Sequence, residues 1–463
     1  MVKKLNALDR SFLAGESRES MMHVGALMPF SPPPDQQGRA REFHRELLEE
    51  LRRDRDSVIE SPWNLKLRHP ELLTSPLQAW VEDKRFDLEY HVRRSALPWP
   101  GDERELGVLV SRLHSHSIDF HRPPWETHFI EGLEGDRFAI YFKVHHAFID
   151  GFTGIRMLTR SLSTDADERD TPMFFSRPPL AGKKDDLAPT LDSFLAALRE
   201  QVGAARGIGK AIMNVARARR AHDDLLVAPM QAPKSILNQR ITRNRRFATQ
   251  TYPVERLKDV AKRAGGTLND VVLALCASAL RRFLIDQSAL PDDPLTAMLP
   301  VNVRPKDDPG GGNAVGAILA TLATDVADPR KRLDTIIQST MRAKQQLQGM
   351  SKNAIMQYGA LLMAPLLLSA MPSVVSKTRP AFNVVISNVP GPEKPLYFRG
   401  WRLEATYPLS IPFHGYALNI TVQSYAGTLN FGFIGCRDAL PHLQRIAVYS
   451  GEALAELERA LGG

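Results

Sequence analysis

The stretch that most constrains this chain is His145-His146-Ala147-Phe148-Ile149-Asp150-Gly151, which reads His-His-x-x-x-Asp-Gly. It ends a run in which Phe138, Ile140, Phe142 and Val144 alternate with Ala139, Tyr141 and Lys143. A period of two predicts a half-buried strand. Neighbouring strand residues face opposite ways, so the alternation puts His146 on the apolar side and His145 on the other. Asp150-Gly151 then turns the chain into a helical pattern through Ile155, Leu158 and Leu162.

The residues bear on four chemistries. A metal site fits poorly, because the two histidines diverge and no third and fourth ligand stands at a familiar spacing. A serine hydrolase lacks its nucleophile, since the chain has no G-x-S-x-G elbow. A purely structural histidine remains open, although three polar residues and a glycine on one turn are costly to bury without use. A general base also fits: a neutral imidazole takes the proton of an alcohol while that oxygen attacks an acyl carbon, worth roughly 10²–10⁴-fold.

The 463 residues predict two domains, and 43% hydrophobic with 24% charged residues predict ordinary globular folding. The net charge of +8 favours anionic partners: nucleic acid, a phosphate-rich cofactor or an anionic membrane. A soluble protein that is merely basic is the plain alternative. Cys276 and Cys436 lie in apolar surroundings, which predicts a reducing cytoplasm and no disulfide framework. Met1 to Asn6 leads into Asp9, Arg10 and Glu16, so no signal peptide is expected. Residues 353–376 carry no charge and are long enough to span a bilayer, but Pro365 and Pro372 argue for a buried helix pair or an apolar surface touching lipid.

In chain order, Met21–Leu27 predicts a strand stopped by Ser31-Pro32-Pro33-Pro34, and Ala40–Arg55 a charged helix. Phe86–Val92 alternates like a strand, and Leu106–Ser117 has helical spacing. Residues 127–146 read as a hairpin through Glu134-Gly135-Asp136. Asp165–Pro189 reads as a surface linker. Basic helical stretches follow from Leu191 to about His222, either solvated or lying on an anionic membrane surface. The second half predicts a strand at Arg245–Tyr252, a helix at Val254–Ala264 and another opening at Leu268. It continues with strands at Leu295–Val303, Phe382–Ser387 and within Tyr407–Cys436, and a final helix at Ala439–Leu461. Gly310-Gly311-Gly312-Asn313 has neither the lysine nor the helix context of a P-loop.

These residues carry a resemblance. The seven-residue motif resembles that of the coenzyme A-dependent acyltransferase superfamily, which includes chloramphenicol acetyltransferase and peptide-synthetase condensation domains. The ordered set is similar to one branch, the bacterial bifunctional wax ester synthase/acyl-CoA:diacylglycerol acyltransferases. It comprises Leu8-Asp9-Arg10-Ser11-Phe12-Leu13, Met22-His23-Val24-Gly25, Arg122-Pro123-Pro124-Trp125 and Ile130-Glu131-Gly132-Leu133. Asn269-Asp270-Val271-Val272, Pro300-Val301-Asn302-Val303-Arg304 and Ser387-Asn388-Val389-Pro390-Gly391-Pro392 complete it. The likeness runs from about residue 5 to about residue 455. Pro124 departs from the family's usual leucine, at no catalytic position.

The resemblance implies an α/β fold of two chloramphenicol-acetyltransferase-like domains, with mixed sheets flanked by helices and an active-site tunnel at their interface. It places the N-terminal domain at 1–185, a helical linker at 186–235 and the C-terminal domain at 236–463. It implies that His146 is the general base in a ternary complex, that His145 supports the site, and that Asp150 with Gly151 holds the turn. Arg304 is the expected partner of Asp150, with Arg156 second. Asn269, beside Asp270, is the expected oxyanion donor, with a helix cap as its plainer role. Tyr358, Gly359 and Ala360 line an acyl channel or simply pack a helix. The implied reaction moves a long-chain acyl group from acyl-CoA, as co-substrate, to a fatty alcohol or diacylglycerol. No cofactor is permanently bound, and neither metal nor nucleic acid takes part. The implied location is cytoplasmic, peripheral on the inner membrane face or on lipid inclusions. A condensation domain is the rival enzyme, weakened by the lack of any carrier or adenylation segment. A lipid-binding coat protein is the rival without catalysis.

Overall fold

The alternating run becomes the strand Arg137–His145, with His23–Ser31 on one side and Trp125–Leu133 on the other. The structure is a computed structural model describing residues 2–53, 59–149, 151–177, 227, 229–302, 315–348, 355, 358–359, 362 and 379–462. The chain divides into two units: residues 1–194 with 389–411 and 423–430, and residues 195–388 with 412–422 and 431–463.

The first unit is built on a mixed sheet in the order Tyr397–Phe398, Trp401–Leu403, His23–Ser31, Arg137–His145, Trp125–Leu133, Val92–Ala96. Val92–Ala96 runs parallel to its neighbour, and the other pairs are antiparallel. Pairing explains why 389–411 groups with the N-terminal residues: Trp401–Leu403 and Tyr407–Leu409 both hydrogen-bond to His23–Ser31. Helix Ala40–Arg53 lays Phe43 and His44 against Phe138. Helix Glu103–His114 starts on an Asp102 cap, whose side chain accepts from Glu105 N at 2.9 Å. Its last residue meets Tyr141 Oη through His114 Nδ1 at 2.8 Å.

Two-sided cover corrects the expectation of a half-buried strand. Every residue from Phe138 to His145 is buried. Tyr141, Lys143 and His145 look like a solvent face in the sequence, but their polar ends find protein partners instead.

The second unit has a sheet ordered Val315–Thr321, Thr296–Asn302, Val384–Val389, Leu418–Tyr425, Thr428–Cys436, Arg245–Pro253. Val384–Val389 is parallel to Thr296–Asn302. Helices Leu268–Asp286, Pro329–Gln348 and Arg445–Ala460 pack on one another. The architecture is therefore α/β with mixed sheets and flanking helices, as the resemblance implies.

Two local expectations fail. Phe86–Val92 is not one strand: the Asp87 side chain accepts from Tyr90 N and starts the short helix Leu88–His91, and the strand begins only at Val92. The final helix begins at Arg445, not Ala439, because His442 has φ 61°, outside helical backbone space. No described helix is long and apolar enough to cross a membrane. Most of residues 353–376, all of 191–222 and the loop 310–313 lie outside the described residues. Cys276 and Cys436 are free, buried thiols.

Candidate active site

The histidine motif begins where a central strand ends. His145 is the last strand residue, opposite His23. Its N–H donates to Pro124 O at 2.9 Å, and the His146 N–H donates to Met22 O at 2.9 Å. The turn then closes through Phe148 N to His145 O at 2.9 Å. Backbone on both flanks thus fixes where the two rings emerge.

The rings have different surroundings. The His146 ring is half-buried and stacks on Phe12, with centroids 4.0 Å apart and planes at 27°. Phe12 belongs to helix Ala7–Gly15, whose Asn6 and Asp9 form a reciprocal capping box. His145 is only 1% exposed, so its ring points inward, against the expectation of an outward one. Its Nδ1 accepts from Ala147 N at 3.2 Å, its Nε2 lies 3.3 Å from Glu16 Oε2, and Phe120 meets its ring edge-on at 5.0 Å.

Three sequence blocks therefore have a visible purpose at the motif. Leu8–Leu13 supplies Phe12, Met22–Gly25 supplies a carbonyl, and Arg122–Trp125 supplies the carbonyl of Pro124. Trp125 is fully buried and donates from Nε1 to Trp63 O at 2.8 Å. Sequence reasoning passed over Phe12, Met22 and Glu16 as site residues. The first two stand inside quoted blocks, and Glu16 had no signal beyond an acid between two apolar runs.

Asp150 lies outside the described residues, as do Arg304 and Ala360. Gly151 opens helix Gly151–Thr159, which also carries Arg156. Tyr358 and Gly359 are helical and half-buried. Burial raises the Tyr358 phenol above its ordinary range. A side chain built at Gly359 would meet nothing within 4 Å among the described residues.

In the second unit, Gly265 leaves helix Val254–Ala264 in the left-handed region (φ 69°), and Thr267 caps helix Leu268–Asp286. Asp270 completes that cap: its Oδ2 accepts from Thr267 N at 2.8 Å and Thr267 Oγ1 at 2.7 Å. Its Oδ1 accepts from Thr340 Oγ1 at 2.7 Å. Asp270 is buried and fully engaged in holding the helix start. Capping thus belongs to Thr267 and Asp270, not to Asn269. Asn269 is exposed, and its Oδ1 accepts from Asn388 Nδ2 at 2.6 Å, joining two of the quoted blocks. That bond points the amide nitrogen of Asn269 elsewhere, as a hydrogen-bond donor.

Known proteins resemble this chain over nearly its whole length. The wax ester synthase/diacylglycerol acyltransferase catalytic domain matches residues 5–272, and the C-terminal domain of the same family matches 311–458. A Mycobacterium tuberculosis (strain H37Rv) protein that carries a diacylglycerol O-acyltransferase name is 52% identical over 99% of this chain and 98% of its own length. The O-acyltransferase WSD of Acinetobacter baylyi is 38% identical, over 99% and 97%. The solved wax ester synthase/diacylglycerol acyltransferase from Marinobacter aquaeolei VT8 superposes with a TM-score of 0.80 at 39% identity, over the whole of both chains. A starter condensation domain of rhizomide synthetase, 13% identical with a TM-score of 0.56 over 100% and 95%, shares the fold. Matched along nearly all its length, with the histidine motif set in a central strand end, the chain belongs to the wax ester synthase/diacylglycerol acyltransferase family.

Proposed function

We propose that this protein transfers a long-chain acyl group from acyl-CoA directly to the hydroxyl of a fatty alcohol or a diacylglycerol, with His146 as general base. The carrying observation is His146: its backbone N–H is held at the strand end by Met22 O, and its half-buried ring stacks on Phe12. A base so fixed spends little entropy on alignment. In the proposed step, His146 takes the hydroxyl proton while that oxygen bonds to the thioester carbon. Asn269 is the proposed donor to the oxyanion that develops there. The C–S bond then breaks, and the coenzyme A thiolate takes the proton back from His146. Asp150 holds the turn in this reading, and Tyr358, Gly359 and Ala360 line the acyl path.

A water-insoluble acceptor calls for contact with a lipid surface. The proposed location is peripheral, on the cytoplasmic membrane face or on lipid inclusions, and the net charge of +8 favours anionic surfaces and coenzyme A phosphates. The test offers purified enzyme palmitoyl-CoA with hexadecanol and dipalmitoylglycerol in competition, and repeats the assay with His146→Ala. Wild type should form wax ester, triacylglycerol or both. The variant should lose about 10²–10⁴-fold in kcat, and His145→Ala less. An active His146→Ala enzyme would remove the base from the mechanism.

A further inference from the structure

We propose that Glu16 is a positioning residue for the acyl transfer: its carboxylate orients His145, and through it the strand end from which His146 projects. The proposal rests on the reading of His146 as the base. Glu16 caps the C-terminus of helix Ala7–Gly15, and its side chain is 8% exposed. One oxygen, Oε2, accepts from Met22 N at 2.5 Å and lies 3.3 Å from His145 Nε2. The carbonyl of the same Met22 accepts the His146 N–H.

The tautomer of His145 follows from its other nitrogen. Nδ1 accepts from Ala147 N at 3.2 Å, so it carries no proton. The proton of the neutral ring is on Nε2 and points at Glu16. Glu16 thus grips the ring of His145 directly, while its bond to the Met22 N–H is in the peptide unit before the one whose carbonyl takes the His146 N–H. A carboxylate this far from water is costly, and its two hydrogen bonds offset that cost. An apolar side chain would fill the same volume at no desolvation cost, so the carboxylate is present for what it orients. Glu16 touches no reacting atom in this geometry. It acts on the chemistry through His145.

The test is a set of Glu16 variants assayed for kcat and for both KM values, with His146→Ala in parallel. Glu16→Leu removes the one acceptor of both contacts, and kcat should fall about 10- to 100-fold with each KM within about twofold. Glu16→Gln keeps an acceptor oxygen at the same reach and should retain kcat within about threefold. Glu16→Asp keeps the charge but is one methylene short, and it should behave like Glu16→Leu. In a His145→Ala background, Glu16→Leu should cost little more, because its route to the chemistry is already gone. Full additivity in that background, or wild-type kcat in Glu16→Asp, would overturn the proposal. If Glu16→Leu does not fold by circular dichroism, the contrast between Gln and Asp decides alone. An active His146→Ala would overturn the base assignment instead, independently of how the Glu16 variants behave.

Discussion

Lys143, two residues before His145, puts its amine where the strand offers no water. Its side chain is 1% exposed. Nζ donates to Leu113 O at 3.3 Å and His116 O at 3.1 Å, at the carbonyl end of helix Glu103–His114, and lies 3.2 Å from Glu126 Oε2. Burial pushes the ammonium down, while Glu126 pulls it back up. For Glu126, burial pushes the carboxyl up, but the neighbouring His128, Lys143 and Arg93 outweigh it and bring it to about 2. The two groups hold each other in place at 3.2 Å, and the contact's value lies in mutual dependence more than in net stability. Lys143→Met should cost about 3–5 kcal/mol in urea unfolding, because Glu126 stays charged with only longer contacts to His128 and Arg93. Adding Glu126→Gln should recover part of that loss. A single variant as stable as wild type would refute the pairing. The sequence displays these residues as a polar strand face, for which water is the default partner. The period of two was legible, and with it the strand and its terminal histidines. The second cover was not, because satisfied buried polar groups and solvated ones look alike in a pattern of letters.

Elements were legible where local chemistry and tertiary packing agree. Gly265-Gly266-Thr267 ends one helix and begins the next, as the sequence predicts. The close approach behind it was not legible: a Cβ on Gly266 would stand 2.7 Å from Ile337 Cδ1 of helix Pro329–Gln348. Asp270 ties helix Leu268–Asp286 to helix Pro329–Gln348 through Thr340, so one carboxylate serves both a cap and an interhelical contact. Asp270→Ala should lower stability by about 1–3 kcal/mol, and Thr340→Val by less, since the cap survives it. Thermal unfolding by circular dichroism reads both. Equal losses would mean that the cap contributes nothing. Phe86–Val92 shows the opposite case, where alternation promised a strand and one aspartate cap gave a helical turn instead. Here a single side-chain hydrogen bond overrode a weak pattern.

Across the whole molecule, the buried imidazoles set how the fold answers acid. Burial holds His44 and His91 down at about 4, against an ordinary value of 6.5. Neither ring nitrogen of His44 has a hydrogen-bond partner among the described residues, and its ring lies 4.9 Å from Phe138 and 5.9 Å from Phe129. His91 stacks against both Phe86 and Trp125 and uses Nδ1 on Trp125 O at 2.7 Å. The unfolded chain takes up protons at these rings near pH 6.5, and the folded chain only near pH 4. Stability is therefore full above pH 6.5 and drains away as the pH falls toward 4, by up to about 3 kcal/mol for each ring. Glu126 adds to this in the same direction. Its contribution is complete above about pH 4.5 and disappears as the pH drops through 2. Urea unfolding between pH 7.5 and 4.5 should show a steep loss in wild type and a shallower one in His44→Leu. The variant also removes two buried nitrogens from an aromatic pocket, so it should be the more stable protein at pH 4.5. Parallel slopes for the two proteins would mean that the His44 ring takes up its proton in the fold as easily as in the open chain.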